Sequence, residues 1–305
     1  MMAFFFAVAP LSSLRPLVSA TQLGFKHMSK CGGTDVVEVL RHAGINFTLF
    51  DERTGLSAER KKRPRTFVIA SARNPCSYAL SLWAYQGGKP WAAAQNDAAH
   101  ALGITFWNRT GSHIYHSSTM GFVDWTRRTM KGRQHSIMAY RFFETLIEQT
   151  DSLHCFHDSL FHCASHFDDA SVEQGLLSFA KLSQVDCWVF LESLCAPPPT
   201  PWPQACGKFI ICACVVAARV RSKEELQTCL KRYQAMSGVA IPWSRLDKAL
   251  LLPKRNPSEH TPCGDMFARA GPAFEQEVWR ANAALARAFG YTSCCTGRSR
   301  QASLV

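Results

Sequence analysis

A glycine-rich turn near the beginning of the chain has the composition of an anion-binding loop. Residues 29–34 read Ser-Lys-Cys-Gly-Gly-Thr and lead into a helix predicted over residues 35–42. Two consecutive glycines let backbone N–H groups approach an oxyanion closely, and the helix N-terminus adds partial positive charge. Lys30 supplies a full positive charge on a mobile side chain. We call residues 29–34 the glycine loop.

A second candidate anion site follows an apolar run of β-rich residues. Residues 66–71 read Thr-Phe-Val-Ile-Ala-Ser, which is typical of a buried strand, and Pro75 suits the first turn of a following helix. Arg73 therefore lies at the carboxyl end of the strand, where open parallel sheets bind ligands. Ser81 lies about two helical turns further on and adds a hydroxyl donor. Two anion sites in one chain indicate one ligand with two anionic groups.

The order of residues in the glycine loop disfavours an ordinary ATPase or GTPase. The loop of those enzymes ends in Gly-Lys-Ser/Thr, with another glycine ahead of it. Here Lys30 precedes both glycines, and the Gly-Lys-Ser/Thr ending is missing.

Taken together, the two motifs resemble those of sulfotransferases that use 3′-phosphoadenosine 5′-phosphosulfate (PAPS), particularly the carbohydrate-type branch. The 5′-phosphosulfate loop of that family is similar to residues 29–34, and its 3′-phosphate motif is similar to Arg73 followed eight residues later by Ser81. Residues 185–194 and 289–291 carry weaker similarity. The resemblance spans roughly residues 22–292. It implies a P-loop-like, three-layer α/β fold with a central parallel sheet and helices on both faces.

The resemblance also implies an activity, which is transfer of a sulfuryl group from PAPS to a hydroxyl of a carbohydrate or small-molecule acceptor. The product nucleotide would be 3′-phosphoadenosine 5′-phosphate, and no metal would be required. Lys30 would stabilise the charge that develops on the departing nucleotide. The residues implied in cofactor binding are Ser29, Lys30, Cys31, Gly32, Gly33, Thr34, Arg73 and Ser81.

The general base is not fixed by either motif. Glu52 is the leading candidate, and the alternatives are Asp51, His42, His113, His116 and His135.

One position departs from the family pattern, because Asp35 follows the loop threonine where serine, threonine or arginine is common. We interpret Asp35 as a helix-start acid that favours the helix dipole with its side chain turned to solvent.

The formal net charge of +11 favours anionic partners. PAPS and an anionic glycan acceptor fit this charge, and the resemblance implies no nucleic acid; membrane association is left open. The basic run at residues 59–65 is interpreted as solvated surface loop. Histidine pairs at 154/157 and 162/166 have zinc-compatible spacing, but we favour an adventitious His/Cys-rich segment.

The predicted organisation is one domain with flanking segments. Residues 1–21 are either a signal segment or disordered, residues 22–292 form the domain with an insertion at 195–222, and residues 293–305 form a disordered tail. The resemblance places the chain in the secretory pathway, in the Golgi lumen, with the cytoplasm as the alternative. Thirteen cysteines are many for a cytosolic protein, yet their number is odd and their spacing gives no disulfide framework, so the cysteines leave the compartment open.

Apolar periodicity predicts alternating strands and helices, which indicates a parallel sheet. The predicted strands cover residues 24–28, 46–50, 66–71 and 187–191. The predicted helices cover residues 35–42, 75–85, 134–149, 172–182, 223–236 and 273–289.

Two other classes of protein compete with the sulfotransferase hypothesis. A catalytically inactive, glycan-binding protein of the same fold is supported by Asp35 and by the proline-rich insertion. A P-loop phosphotransferase is less favoured, because the sequence shows no clear magnesium-binding carboxylate.

Overall fold

The chain folds around a four-stranded, all-parallel β-sheet. The structure is a computed structural model that describes residues 21–28, 31–50, 55–86, 119–146, 167–178, 184–190, 223–252 and 261–295. The strands in the order β2-β1-β3-β4 pair side by side. Their bounds are β1 Gln22–Lys26, β2 Thr48–Phe50, β3 Thr66–Ala72 and β4 Cys187–Phe190. The predicted α/β class with a parallel sheet is therefore confirmed.

The register of the two central strands, β1 and β3, determines where the loops that follow them lie. Gln22 of β1 pairs with Thr66 of β3, and Lys26 pairs with Ala70. Because the two strands run in parallel, the residues that follow them emerge at the same edge of the sheet. The glycine loop follows β1, and Arg73 follows β3. Parallel pairing thus places the two predicted anion sites side by side.

Helices cover both faces of this sheet. On one face lie α1 and two later helices, and the other face is covered by helices from the middle and the end of the chain. The first set is α1 Gly33–His42, α7 223–237 and α8 Trp243–Ala249. The second set is α2 Leu56–Lys62, α3 Pro75–Gln86, α4 Thr119–Met130, α5 Ile137–Leu146, α6 Asp169–Leu177, α9 Cys263–Ala270, α10 Pro272–Ala281 and α11 Ala283–Phe289.

Successive side chains of β3 point alternately into two separate hydrophobic cores. Phe67 and Ile69 pack with α1, α7 and α8, whereas Val68 and Ala70 pack with the helices of the opposite face. All seven residues of β3 are buried. A strand buried on both faces reads as a continuous apolar run, which explains why residues 66–71 were recognisable from sequence.

Two predicted elements differ from the structure. The helix predicted over residues 273–289 is two helices that meet at Asn282, whose side chain donates to the carbonyl of Val278 and is buried between them. The basic run predicted as loop instead contributes most of α2. Leu56 anchors that helix in the core, and Arg60 pairs with Asp186 just before β4. Burial of the residues that precede the run, Leu56 to Ala58, therefore makes its first half helical.

Within the described residues, three disulfides connect elements that are distant in sequence. They join Cys76 to Cys294, Cys187 to Cys229, and Cys263 to Cys295, while Cys31 is a buried free thiol. The corresponding sequence separations are 218, 42 and 32 residues. Such pairings have no local spacing signature, which explains why the cysteine spacing in the sequence did not reveal them. The bonds are compatible with a secretory or extracellular protein.

The segment 293–295 is held in place, although the tail was predicted to begin at residue 293. Asn74 donates to the carbonyl of Ser293 at 3.0 Å and accepts from the backbone N–H of Cys295 at 3.2 Å. Two disulfides, Cys76–Cys294 and Cys263–Cys295, also hold the segment. Together with the hydrogen bonds of Asn74, they fix it against the beginning of α3. Residues 296–305, the predicted insertion at 195–222 and all but the last residue of the N-terminal segment 1–21, predicted as signal or disordered, lie outside the described residues. Within the described ranges, the helices are too short or too polar to cross a membrane.

The disulfide between β4 and α7 leads to a stability prediction. Replacing Cys187 and Cys229 together by alanine should lower the free energy of unfolding by about 3–4 kcal/mol, the value expected from closing a loop of this size. Urea unfolding in non-reducing buffer measures the loss. In excess dithiothreitol the variant and the parent protein should differ far less; equal stability without reductant would contradict the bond.

Candidate anion-binding site

Cys31 and Arg73 bring the glycine loop into contact with the end of β3. The thiol of Cys31 accepts a hydrogen bond from the backbone of Arg73, and the Arg73 guanidinium lies close enough to favour the thiolate. Burial dominates nevertheless and raises the pKa of Cys31 to about 12. Cys31 is therefore a neutral, buried thiol that joins the two motifs and is not a nucleophile.

The described part of the glycine loop has the backbone conformation of a helix entry. Gly32 has φ 67° and caps α1, and its carbonyl accepts from the N–H groups of Asp35 and Val36. The N–H groups of Gly33 and Thr34 precede these and have no acceptor within the helix. Thr34 is exposed. Two backbone donors and a hydroxyl thus lie at the positive end of a ten-residue helix.

Gly33 is required by its surroundings, since it is packed against the ring of His27. A β-carbon at residue 33 would lie 1.8 Å from Cδ2 of His27. The tight contact fixes the loop against the residue that follows β1.

Asp35, in the first turn of α1, is partly buried. That differs from the expectation of a side chain turned fully to solvent, although the position still suits the helix dipole.

The Arg73 guanidinium is held by the first turn of α3. Its Nε donates to the hydroxyl of Ser77 at 2.9 Å, and Ser77 is 1% exposed. Burial lowers the pKa of Arg73, whereas the nearby Cys31 and Tyr291 raise it, and an arginine stays charged in any case. Ser81 is also buried, one further turn along α3. Ser77 thus contacts Arg73 through its hydroxyl, and the sequence interpretation missed this residue.

A second guanidinium comes from α5. Arg141 donates to the phenol oxygen of Tyr78 at 3.0 Å, and Tyr78 is the residue after Ser77 on α3. Arg141 also lies close enough to Cys31 to favour its thiolate. Two arginines from different elements therefore converge on the glycine loop. In sequence, Arg141 lies far from both motifs, so only the fold could reveal it.

Asn74 fixes the turn that carries Arg73. Its side-chain oxygen accepts from the backbone N–H of Cys76 at 3.0 Å, which caps the beginning of α3. The same side chain binds Ser293 and Cys295, and Cys76 itself is bonded to Cys294. The end of the described chain therefore braces the Arg73 turn.

A buried lysine at the end of β1 was also missed. Lys26 has 0% exposure, although lysine is rarely buried completely. By strand alternation it shares a sheet face with Gly24, which packs against Phe50 of the core on the α3 and α5 side. The signal in the sequence was a cation inside an apolar strand, directly before the glycine loop.

Candidate bases fall into two groups. His42 lies at the opposite end of α1 from the loop, about 15 Å away by helix rise, and binds the carbonyl of Glu38. His135 binds the backbone carbonyl of Asp169, in a cluster where Tyr140 also donates to Asp169. The described geometry brings neither histidine to the loop. The other candidates, together with Ser29 and Lys30, lie outside the described residues: Asp51, Glu52, His113 and His116.

Comparisons with known proteins leave the family open. No protein-family model matches the chain, and neither the curated proteins nor the solved structures include a match. Among the described residues, no group of three or more His, Cys, Asp or Glu side chains is arranged to hold a metal ion. The four histidines with zinc-compatible spacing lie outside those residues. The fold class and the candidate anion site therefore rest on the geometry of the described residues.

The contact between His27 and Gly33 generates a double-mutant prediction. Gly33→Ala should lower the free energy of unfolding by about 1–3 kcal/mol, the usual cost of overpacking. His27→Ala in the same chain should recover much of that loss, because the ring that clashes is removed. Gly264→Ala is the matched control, since open space surrounds that helical glycine and alanine favours a helix. Additive effects of the two loop changes in thermal unfolding would contradict the contact.

Proposed function

We propose that the protein is a PAPS-dependent sulfotransferase that transfers a sulfuryl group to a hydroxyl of a carbohydrate or small-molecule acceptor. The observation that carries the proposal is the contact between Cys31 and Arg73. It joins a glycine loop and an arginine turn at the carboxyl edge of adjacent parallel strands. A nucleotide with phosphates at both its 5′ and 3′ positions has anionic groups suited to these two sites.

The described residues fit such a nucleotide. Gly32, Gly33 and Thr34 would hold the 5′-phosphosulfate through the helix N-terminus, and Arg73 would hold the 3′-phosphate. Ser77 orients Arg73, and Ser81 would add a hydroxyl from the same helix. The glycine loop, which follows the first strand and leads into a helix, supports the finer hypothesis of a P-loop-like fold.

The chemistry assigned to the chain is electrostatic. PAPS, when bound, supplies the activated sulfuryl group. The ammonium of Lys30 would oppose the negative charge that builds on the departing nucleotide, and Glu52 would take the proton from the acceptor hydroxyl. The three disulfides support assignment to the secretory pathway, and family resemblance points to the Golgi lumen.

The competing hypothesis of an inactive glycan-binding protein has one supporting feature. Asp35 places a carboxylate in the first turn of α1, beside the proposed 5′ site. A carboxylate there would weaken the binding of an anion. Radiolabelled sulfate transfer from PAPS to a panel of carbohydrate and phenolic acceptors decides between the two hypotheses: transfer supports the enzyme, and glycan binding without transfer supports the inactive protein.

Arg73 gives the sharpest test of donor recognition. Arg73→Ala should weaken binding of 3′-phosphoadenosine 5′-phosphate by about 2–3 kcal/mol, because a charge-assisted contact with the 3′-phosphate is lost. Binding of 5′-AMP should hardly change. Isothermal titration calorimetry measures both ligands. Arg127→Ala is the control, since Arg127 is exposed and paired with Glu277 on α10. Equal weakening of the two nucleotides would remove Arg73 from the 3′ site.

Lys30 gives the corresponding test of chemistry. Lys30→Ala should lower kcat much more than it raises the KM for PAPS, since the charge on the departing nucleotide develops fully only near the transition state. Initial-rate kinetics with a fixed acceptor measures both constants. The exposed Lys61 on α2, replaced by alanine, is the control for loss of net charge. A Lys30 variant with unchanged kcat would exclude this role.

A further inference from the structure

Two arginines of different origin are anchored on neighbouring residues of α3. Ser77 holds the guanidinium of Arg73 at 2.9 Å, and Tyr78 holds that of Arg141 at 3.0 Å. Ser77 and Tyr78 are both almost completely buried, so the anchors are rigid parts of the core. Both guanidinium groups are thus held by side chains of α3, and both lie close enough to Cys31 of the glycine loop to influence its thiol.

Cys31 lies near both guanidinium groups. It lies in the loop after β1, accepts a hydrogen bond from the Arg73 backbone, and is within electrostatic range of both arginines. Because Cys31 is neutral, it does not compensate their charges. An anion that reaches Arg73 from the sheet edge therefore also enters the field of Arg141.

We propose that Arg141 is a second cation of the 3′-phosphate subsite, and that Tyr78 is its positioning residue. This inference rests on the proposed function and adds to it a preference for the phosphate dianion. A terminal phosphate monoester carries close to two negative charges above its second pKa, near 6. Two guanidinium groups match that dianion, whereas one matches the monoanion equally well.

The test uses the full-length protein and 3′-phosphoadenosine 5′-phosphate. Arg141→Gln should weaken its binding at pH 7.5 by at least tenfold, and leave binding of 5′-AMP within about twofold. Tyr78→Phe, which keeps the packed ring and removes the hydroxyl, should produce a smaller loss in the same direction. Arg141→Lys keeps the charge and should retain more affinity than Arg141→Gln. Arg127→Gln, on the exposed face of α4, serves as the control.

A pH profile separates charge recognition from a structural effect. In the parent protein, affinity for the bisphosphate should fall between pH 7 and pH 5 more steeply than affinity for 5′-AMP, because the 5′-phosphate gains a proton in both nucleotides and the 3′-phosphate does so only in the bisphosphate. The Arg141→Gln profile should be flatter, because the preference for the dianion is reduced. Circular dichroism and thermal unfolding establish that each variant is folded before titration.

The outcomes of the Arg73 and Arg141 experiments are distinguishable. If Arg73→Ala selectively weakens the bisphosphate and folded Arg141→Gln does not, the proposed function stands and the role of Arg141 is overturned. If folded Arg141→Gln weakens the bisphosphate and 5′-AMP equally, Arg141 does not belong to the 3′ subsite. If neither arginine affects the bisphosphate, the proposed function fails together with this inference. An unchanged pH profile in Arg141→Gln would overturn the preference for the dianion.

Discussion

Parallel pairing of β1 with β3 is the constraint on which the rest of the site depends. Five aligned residue pairs keep the two strands in register, so the loop after β1 and the turn after β3 emerge together. Neither loop makes a two-anion site alone. The buried thiol of Cys31 then fills the space between them and accepts a bond from the Arg73 backbone. A shift in strand register would separate the two motifs even if each kept its local conformation.

The residues that hold Arg73 in place come from parts of the chain that carry no anion-binding motif of their own. Ser77 orients its side chain, Asn74 caps the helix beside it, and the segment 293–295 braces Asn74. An arginine side chain has many rotamers, and fixing it in advance reduces the entropy lost on binding. This preorganisation distinguishes Arg73 in the candidate site from an exposed arginine such as Arg127, although both contribute equally to the net charge of the chain.

The sheet was predictable from sequence because its strands are apolar on both faces. Residues 66–71 read as a continuous buried run, and the structure extends that strand only to Ala72. Long-range partners were not predictable. Arg141 and Cys294 approach α3 only through the fold, and a local motif search had no reason to connect them with Arg73. Ser77 was missed for another reason, because the resemblance directed attention to Ser81, one turn further along the helix.

The bond between Cys76 and Cys294 has a consequence for biosynthesis. The two cysteines are 218 residues apart, and chains are synthesised at about 5–20 residues per second, so Cys76 waits roughly 10–45 seconds for its partner. During that time its thiol is open to other cysteines. Cys295 follows Cys294 directly and bonds a different helix, so exchanging the two partners needs a displacement of only one residue. The Cys76–Cys294 bond can therefore form only after residue 294 has been synthesised, and the Arg73 turn is covalently braced only late in maturation.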